Sequence, residues 1–206
     1  MELFILNIIG TIAFALAGYI VSSRANYDIL GITFITFISA FGGGATRDIL
    51  IGKTPGVFLD GYSLIVVVIV IIMAFVLNYH HSENLENNKL FVIADTIGLS
   101  VFAYTGAMAA LSSGLNLGGV VFLSLFSAIG GGLLRDVIMN KEAYALKEDF
   151  YGIIAVLVGV LVYIVSLFLN FENFNLVAIS FIILFGICIR FLAIKFDWHL
   201  PKIIKE

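Results

Sequence analysis

Twenty consecutive residues from Gly152 to Phe171, "GIIAVLVGVLVYIVSLFLNF", carry no charge. A run of that length matches the roughly 20 residues needed to cross a hydrocarbon core, and a soluble fold has little interior that could hold it. The stretch "SLIVVVIVIIMAFVLNY" from Ser63 to Tyr79 approaches the same length. Composition agrees, with 61% of residues hydrophobic and 12% charged, against about a quarter charged in a soluble domain. The chain therefore reads as an integral membrane protein with membrane lipids as partners. A net charge of −3 without any basic patch excludes nucleic acid.

Polar punctuation divides the chain into seven candidate spans: Leu3 to Ser22, Ile29 to Ile51, Tyr62 to His80, Leu90 to Leu111, Leu117 to Met139, Phe150 to Leu169 and Leu176 to Lys195. The connections between them are short, so a single transmembrane domain over residues 1–206 is expected. Seven spans put the termini on opposite sides. Arg24, Lys89, Lys141, Lys147, Lys195, Lys202 and Lys205 fall on the side of the C-terminus, and mainly Lys53 on the other. Basic loops stay inside, which predicts a cytoplasmic C-terminus and an outward N-terminus, in a prokaryotic plasma membrane. The first apolar segment lacks the positive flank of a signal peptide and is read as a mature helix. Cys188, the one cysteine, is assigned to core packing, and His80 and His81 beside Glu83 to the membrane interface.

The chain repeats itself. "GGGATRD" at Gly42 to Asp48 returns as "GGGLLRD" at Gly130 to Asp136, an offset of 88 residues. The same offset pairs Gly10 with Gly98, Phe14 with Phe102, Gly18 with Gly106, Gly31 with Gly119, Thr36 with Ser124, Ser39 with Ser127, and Asn7 with Asp95. Three spans separate the copies, and three is odd, so the second copy enters the membrane inverted. The fold class that follows is an all-α membrane protein of seven transmembrane helices, built as an inverted three-plus-three repeat with a seventh helix appended. Repeat one covers residues 1–85, repeat two 86–172, and the seventh helix 173–206.

Inverted repeats place their sites near the bilayer midplane, often on interrupted helices. The glycine triplets Gly42, Gly43, Gly44 and Gly130, Gly131, Gly132 are the expected kinks, with close helix packing as the alternative use of small residues in lipid. Helical spacing aligns Thr36, Ser39, Gly43 and Arg47 on one face, and Ser124, Ser127, Gly131 and Arg135 on another. Hydroxyls on such tracks replace part of a cation's hydration shell, or else bond back to their own helix. Arg47 beside Asp48 and Arg135 beside Asp136 are neighbours that do not face one another on a helix, so partners on other helices are expected. Each pair reads equally as a structural ion pair near the interface and, because charges at such depth are expected to have a use, as a candidate functional group. Asp95 reads equally as a helix-start carboxylate favoured by the dipole and as an ion-binding group. No nucleophile, base or metal cluster accompanies these residues, so no enzyme, cofactor or metal site is expected.

The two glycine-Arg-Asp motifs, the seven spans and the inverted repeat resemble the trimeric intracellular cation channels in their prokaryotic branch, a group also labelled glycine-transporter-like membrane proteins. That resemblance covers almost the whole chain. It implies a homotrimer with one pore per subunit at the second and fifth helices, passing potassium or sodium, with the triplets as hinges and Arg47 and Arg135 close to the path. The Lys-Glu-Val continuation of animal relatives, associated with phosphoinositide lipid, is replaced here by Arg47-Asp48-Ile49 and Arg135-Asp136-Val137. The label also leaves open a secondary transporter of a small zwitterion such as glycine, for which an inverted repeat is the usual architecture.

Overall fold

The computed structural model describes residues 2–77, 89–148, 150–168 and 176–201. They form α1 (Glu2–Arg24), α2 (Ile29–Leu50), a 3-10 turn (Gly56–Phe58), α3 (Tyr62–Val76), α4 (Lys89–Ser112), α5 (Leu117–Ile138), the single-turn α6 (Tyr144–Lys147), α7 (Tyr151–Phe168) and α8 (Leu176–Lys195). No strand occurs among the described residues. Six of these helices are long and apolar enough to cross a membrane, while α3 has 15 described residues. The expected span ends agree to within two residues wherever they fall in the described chain. His80, His81, Glu83, Leu169, Lys202 and Lys205 lie outside it.

The helix ends are set by local chemistry. Asp28 and Asn116 have extended backbone and accept hydrogen bonds from the amides of Gly31 (2.7 Å) and Gly119 (3.0 Å), capping α2 and α5. Both helices close in the Schellman arrangement. Gly52 (φ 70°) and Asn140 (φ 51°) occupy the left-handed position, and the amides of Lys53 and Lys141 return to the carbonyls of Asp48 and Asp136. Every one of these pairs is 88 residues apart.

The core is assembled by small residues. α4 packs against α1, α5, α7 and α8, and its buried face includes Ala94, Gly98, Ala103, Gly106, Ala107 and Ala110. In lipid, helix association depends on such close approach rather than on hydrophobic burial. Phe14 of α1 lies over Gly98 of α4, and Phe102 of α4 over Gly10 of α1. The two rings stack at 5.3 Å with an interplanar angle of 5°. The order of these contacts makes α1 and α4 antiparallel. α2 and α5 are antiparallel likewise, because Gly43 meets Ser127 while Gly131 meets Ser39.

The helices are continuous where interruptions were expected, and one assignment is corrected. Neither glycine triplet interrupts its helix, since α2 and α5 run unbroken through residues 42–44 and 130–132. Glycine costs helix stability but keeps its N–H donor, and the close contact between the two backbones rewards its lack of a side chain. Cys188 is exposed rather than packed in the core. α8 buries only the face carrying Ile179, Ile182, Gly186, Arg190 and Ala193, and Cys188 lies off that face.

Candidate functional site: two charged locks and a serine crossing

At the end of α2, Arg47 Nε binds Asp48 Oδ1 at 2.8 Å. Its Nη1 donates to Asn7 Oδ1 of α1 (3.3 Å) and Thr105 Oγ1 of α4 (3.4 Å). Asp48 Oδ2 accepts the Gly56 amide at 2.9 Å, which ties the 3-10 turn beneath the helix end. Recesses of about 60 and 190 Å³ open beside Arg47; Asn7 and Asp48 line both.

At the end of α5 the construction recurs. Arg135 Nε binds Asp136 Oδ1 at 2.7 Å, and Asp136 Oδ2 accepts the Tyr144 amide at 2.9 Å. The Arg135 guanidinium stands 5.8 Å from the centre of the Phe91 ring. Phe91 lies near the start of α4 and Thr105 fourteen residues later, so the two locks stand about 21 Å apart along that helix. They occupy opposite ends of the molecule.

Each arginine thus pairs with the aspartate next to it, contrary to expectation. Adjacent helical residues diverge, but the long arginine side chain folds back at the last turn. The following segment then fixes the carboxylate through an amide eight residues on. Partners on other helices, which were expected, are present as well for Arg47.

The second lock is larger. Arg190 Nη2 of α8 donates to the Tyr144 hydroxyl (3.3 Å) and Glu148 Oε2 (3.2 Å), and its guanidinium lies 5.0 Å from the Tyr151 ring centre. Burial holds the Tyr144 hydroxyl well above the usual phenol range, so it stays protonated beside Glu148. Asp95 lies close enough to Arg135, Arg190 and Tyr151 to feel the charge of the two arginines and the polarity of the phenol. It is only 2% exposed and sits one and a half turns into α4, so it is not a cap; packing carries the carboxylate toward the arginines instead. The sequence reading passed over Arg190, Tyr144, Tyr151 and Glu148. One signal was available: Arg190 interrupts an otherwise apolar span, and such a charge is expected to have a use.

Midway between the locks, α2 crosses α5. Gly43 presses on the Ser127 carbonyl oxygen and Gly131 on that of Ser39, while Gly42 and Gly130 touch the opposing glycine backbone. Gly132 faces the Arg135 guanidinium instead, and Gly44 the Phe102 ring with the Arg47 guanidinium behind it. The hydroxyls of Ser39 and Ser127 are fully buried and have no hydrogen-bond partner among the described residues. The other two hydroxyls of the tracks are engaged. Thr36 bonds back to Ile32 at 2.7 Å, whereas Ser124 reaches the carbonyls of Ala103 and Ala155 and joins α5 to α4 and α7.

The family model described as "Glycine transporter" matches residues 4–79 and again residues 92–167, two segments that begin 88 residues apart. The chain is 33% identical to the UPF0126 membrane protein YvgT of Bacillus subtilis, over 96% of this chain and 95% of that protein. It is 35% identical to a UPF0126 membrane protein of Deinococcus radiodurans, over 71% of this chain and 68% of that one. Among solved structures, a TRIC cation channel superposes with TM-score 0.85 at 32% identity, covering 98% of this chain and 97% of that one. A prokaryotic TRIC channel determined in 0.5 M KCl gives 0.86 at 31% identity, covering 97% and 99%. With sequence and fold matched across nearly its full length, the chain belongs to the prokaryotic TRIC family, the membrane proteins whose family model is described as a glycine transporter.

Proposed function

We propose that this chain is a cation channel, potassium-permeable and homotrimeric, with one pore in each subunit running between α2 and α5 from the Arg47 lock to the Arg135 lock. The observation that carries the reading is the pair of buried serine hydroxyls, Ser39 and Ser127, unpartnered at the α2–α5 crossing. Unpartnered buried hydroxyls are costly in a purely structural protein, and hydroxyls that a passing cation can borrow are what a weakly selective path needs. The solved TRIC cation channels that the chain resembles support the same reading and weigh against an enzyme. With the α2 and α5 backbones in contact, this conformation is the shut one. Opening draws the helices apart at the glycines and releases both serine carbonyls and hydroxyls to the ion.

The architecture proposed with it is one domain of seven spans, an inverted three-plus-three repeat plus α8. The antiparallel α1–α4 and α2–α5 pairs and the doubled family match support it. The orientation, C-terminus cytoplasmic, rests on the lysine and arginine asymmetry. Membrane lipid is the expected neighbour, and an apolar groove of about 470 Å³ between α1, α4 and α8 suits an acyl chain.

Potassium flux into proteoliposomes tests the function. Ser39→Ala and Ser127→Ala, which remove the hydroxyls without adding bulk, should change flux several-fold while trimer assembly stays normal. Unchanged flux removes these residues from the path. A carrier for glycine is the second reading, favoured by the family description, and uptake of labelled glycine under a sodium or proton gradient would establish it.

A further inference from the structure

The two locks are built alike but not partnered alike. Contacts between the two halves exchange under a shift of 88 residues: Gly10 on Phe102 becomes Gly98 on Phe14, and Gly43 on the Ser127 carbonyl becomes Gly131 on that of Ser39. Applied to the first lock, the exchange turns Arg47 with Asn7 and Thr105 into Arg135 with Asp95 and Ala17. Ala17 is fully buried in one apolar cluster with Phe91 and Met139, and Phe91 lies against the Arg135 guanidinium. Ala17 thus shares a neighbour, Phe91, with Arg135; the exchange puts it where Thr105 stands in the first lock, but it has no hydroxyl to offer. Correspondingly, Arg135 Nη1 and Asp95 Oδ1 have no hydrogen-bond partner among the described residues, although Arg135 is 1% and Asp95 2% exposed.

A buried charged group left without its hydrogen bond costs the full desolvation of that group, and native proteins rarely leave one so. We propose that Arg135 Nη1 and Asp95 Oδ1, at the position where the first lock has its threonine and this one has Ala17, form a buried binding slot for a single water molecule. The ligand must accept from a guanidinium N–H and donate to a carboxylate oxygen. A metal cation cannot do the first, and a halide cannot do the second. Water does both, and two strong polar partners are what a buried water requires. The lock at Arg135 is thus closed through water, whereas the lock at Arg47 is closed directly by Asn7 and Thr105. The inference rests on the repeat relating the two locks, and it is independent of whether the protein conducts.

Threonine and valine have nearly the same shape, so Ala17→Thr and Ala17→Val form the decisive pair, read as thermal unfolding of the intact protein in detergent. If the slot exists, the threonine hydroxyl takes the water's place, and Ala17→Thr melts about 3 °C or more above Ala17→Val. If the two melt alike, or threonine is the worse, Ala17 fills a dry and closed position and the proposal fails. Should neither accumulate as folded protein, Ala17→Ser against Ala17→Cys asks the same question with one added atom and is judged by the same ordering. A structure at a resolution that shows ordered water should place density between Arg135 Nη1 and Asp95 Oδ1 in the parent chain and lose it in Ala17→Thr. Continuous protein contact there in the parent would overturn the assignment.

Discussion

Gly43 of α2 rests on the carbonyl oxygen of Ser127 in α5 so closely that a methyl group has no room between them. Gly131 stands in the same relation to Ser39. Both obstacles are backbone, which cannot swing aside as a side chain does. Gly43→Ala or Gly131→Ala should therefore force α2 and α5 apart at a cost of about 1–3 kcal/mol. Gly61→Ala, with open space and an ordinary backbone angle, should melt with the parent. Thermal unfolding of the three variants checks this.

The locks should differ in how much they resist being broken. Arg135 and Asp136 are nearly inaccessible, with side chains 1% and 4% exposed, against 11% for both Arg47 and Asp48. Removing one member of a fully buried pair strands the other charge and costs about 3–5 kcal/mol. Arg135→Gln should accordingly fall in that range and Arg47→Gln below it, because water in the recesses beside Arg47 can solvate Asp48. Equal losses by denaturant or thermal unfolding would contradict this difference.

The serines should sort by partner rather than by sequence. Ser124 links three helices through the Ala103 and Ala155 carbonyls, so Ser124→Ala should lose about 1 kcal/mol. Ser39→Ala and Ser127→Ala lose no hydrogen bond and should leave stability unchanged or slightly raised. The thermal ranking of the three alanine variants reports it.

Asp28 and Asn116 cap equivalent helices with equivalent bonds. Replacing either with alanine should cost about 1 kcal/mol, with the two losses matching. A large disparity in melting temperature would show that the two halves do not share the same energetics.

Much of this was legible before any coordinates. The span limits followed from apolar runs and the polar punctuation between them, and the structure shows why they agree: Asp28, Asn116, Gly52 and Asn140 lie in that punctuation, and their local chemistry starts and stops helices whatever the tertiary context. The pairing of Gly43 with Gly131 was half legible: the offset of 88 marked them as equivalent, but whether glycine bends a helix or admits a neighbour depends on what lies opposite, and that is three-dimensional. Arg47 and Asp48 were misjudged because spacing rules describe Cβ directions, while an arginine at a helix end has the reach to ignore them. Arg190 was visible in the sequence, but its partners Tyr144 and Glu148 lie more than forty residues earlier in the chain, and no periodicity links them. Asp95 was recognised as the counterpart of Asn7; that its second neighbour would be Ala17 rather than a threonine emerged only when the exchange of contacts could be traced.

The central claim is conduction, and planar-bilayer recording of the purified protein under a potassium gradient tests it most directly. The account predicts discrete openings whose current reverses near the potassium equilibrium potential and whose amplitude changes in Ser39→Ala and Ser127→Ala. A silent bilayer from protein that is folded, trimeric and able to accumulate labelled glycine in liposomes would contradict it and establish the carrier.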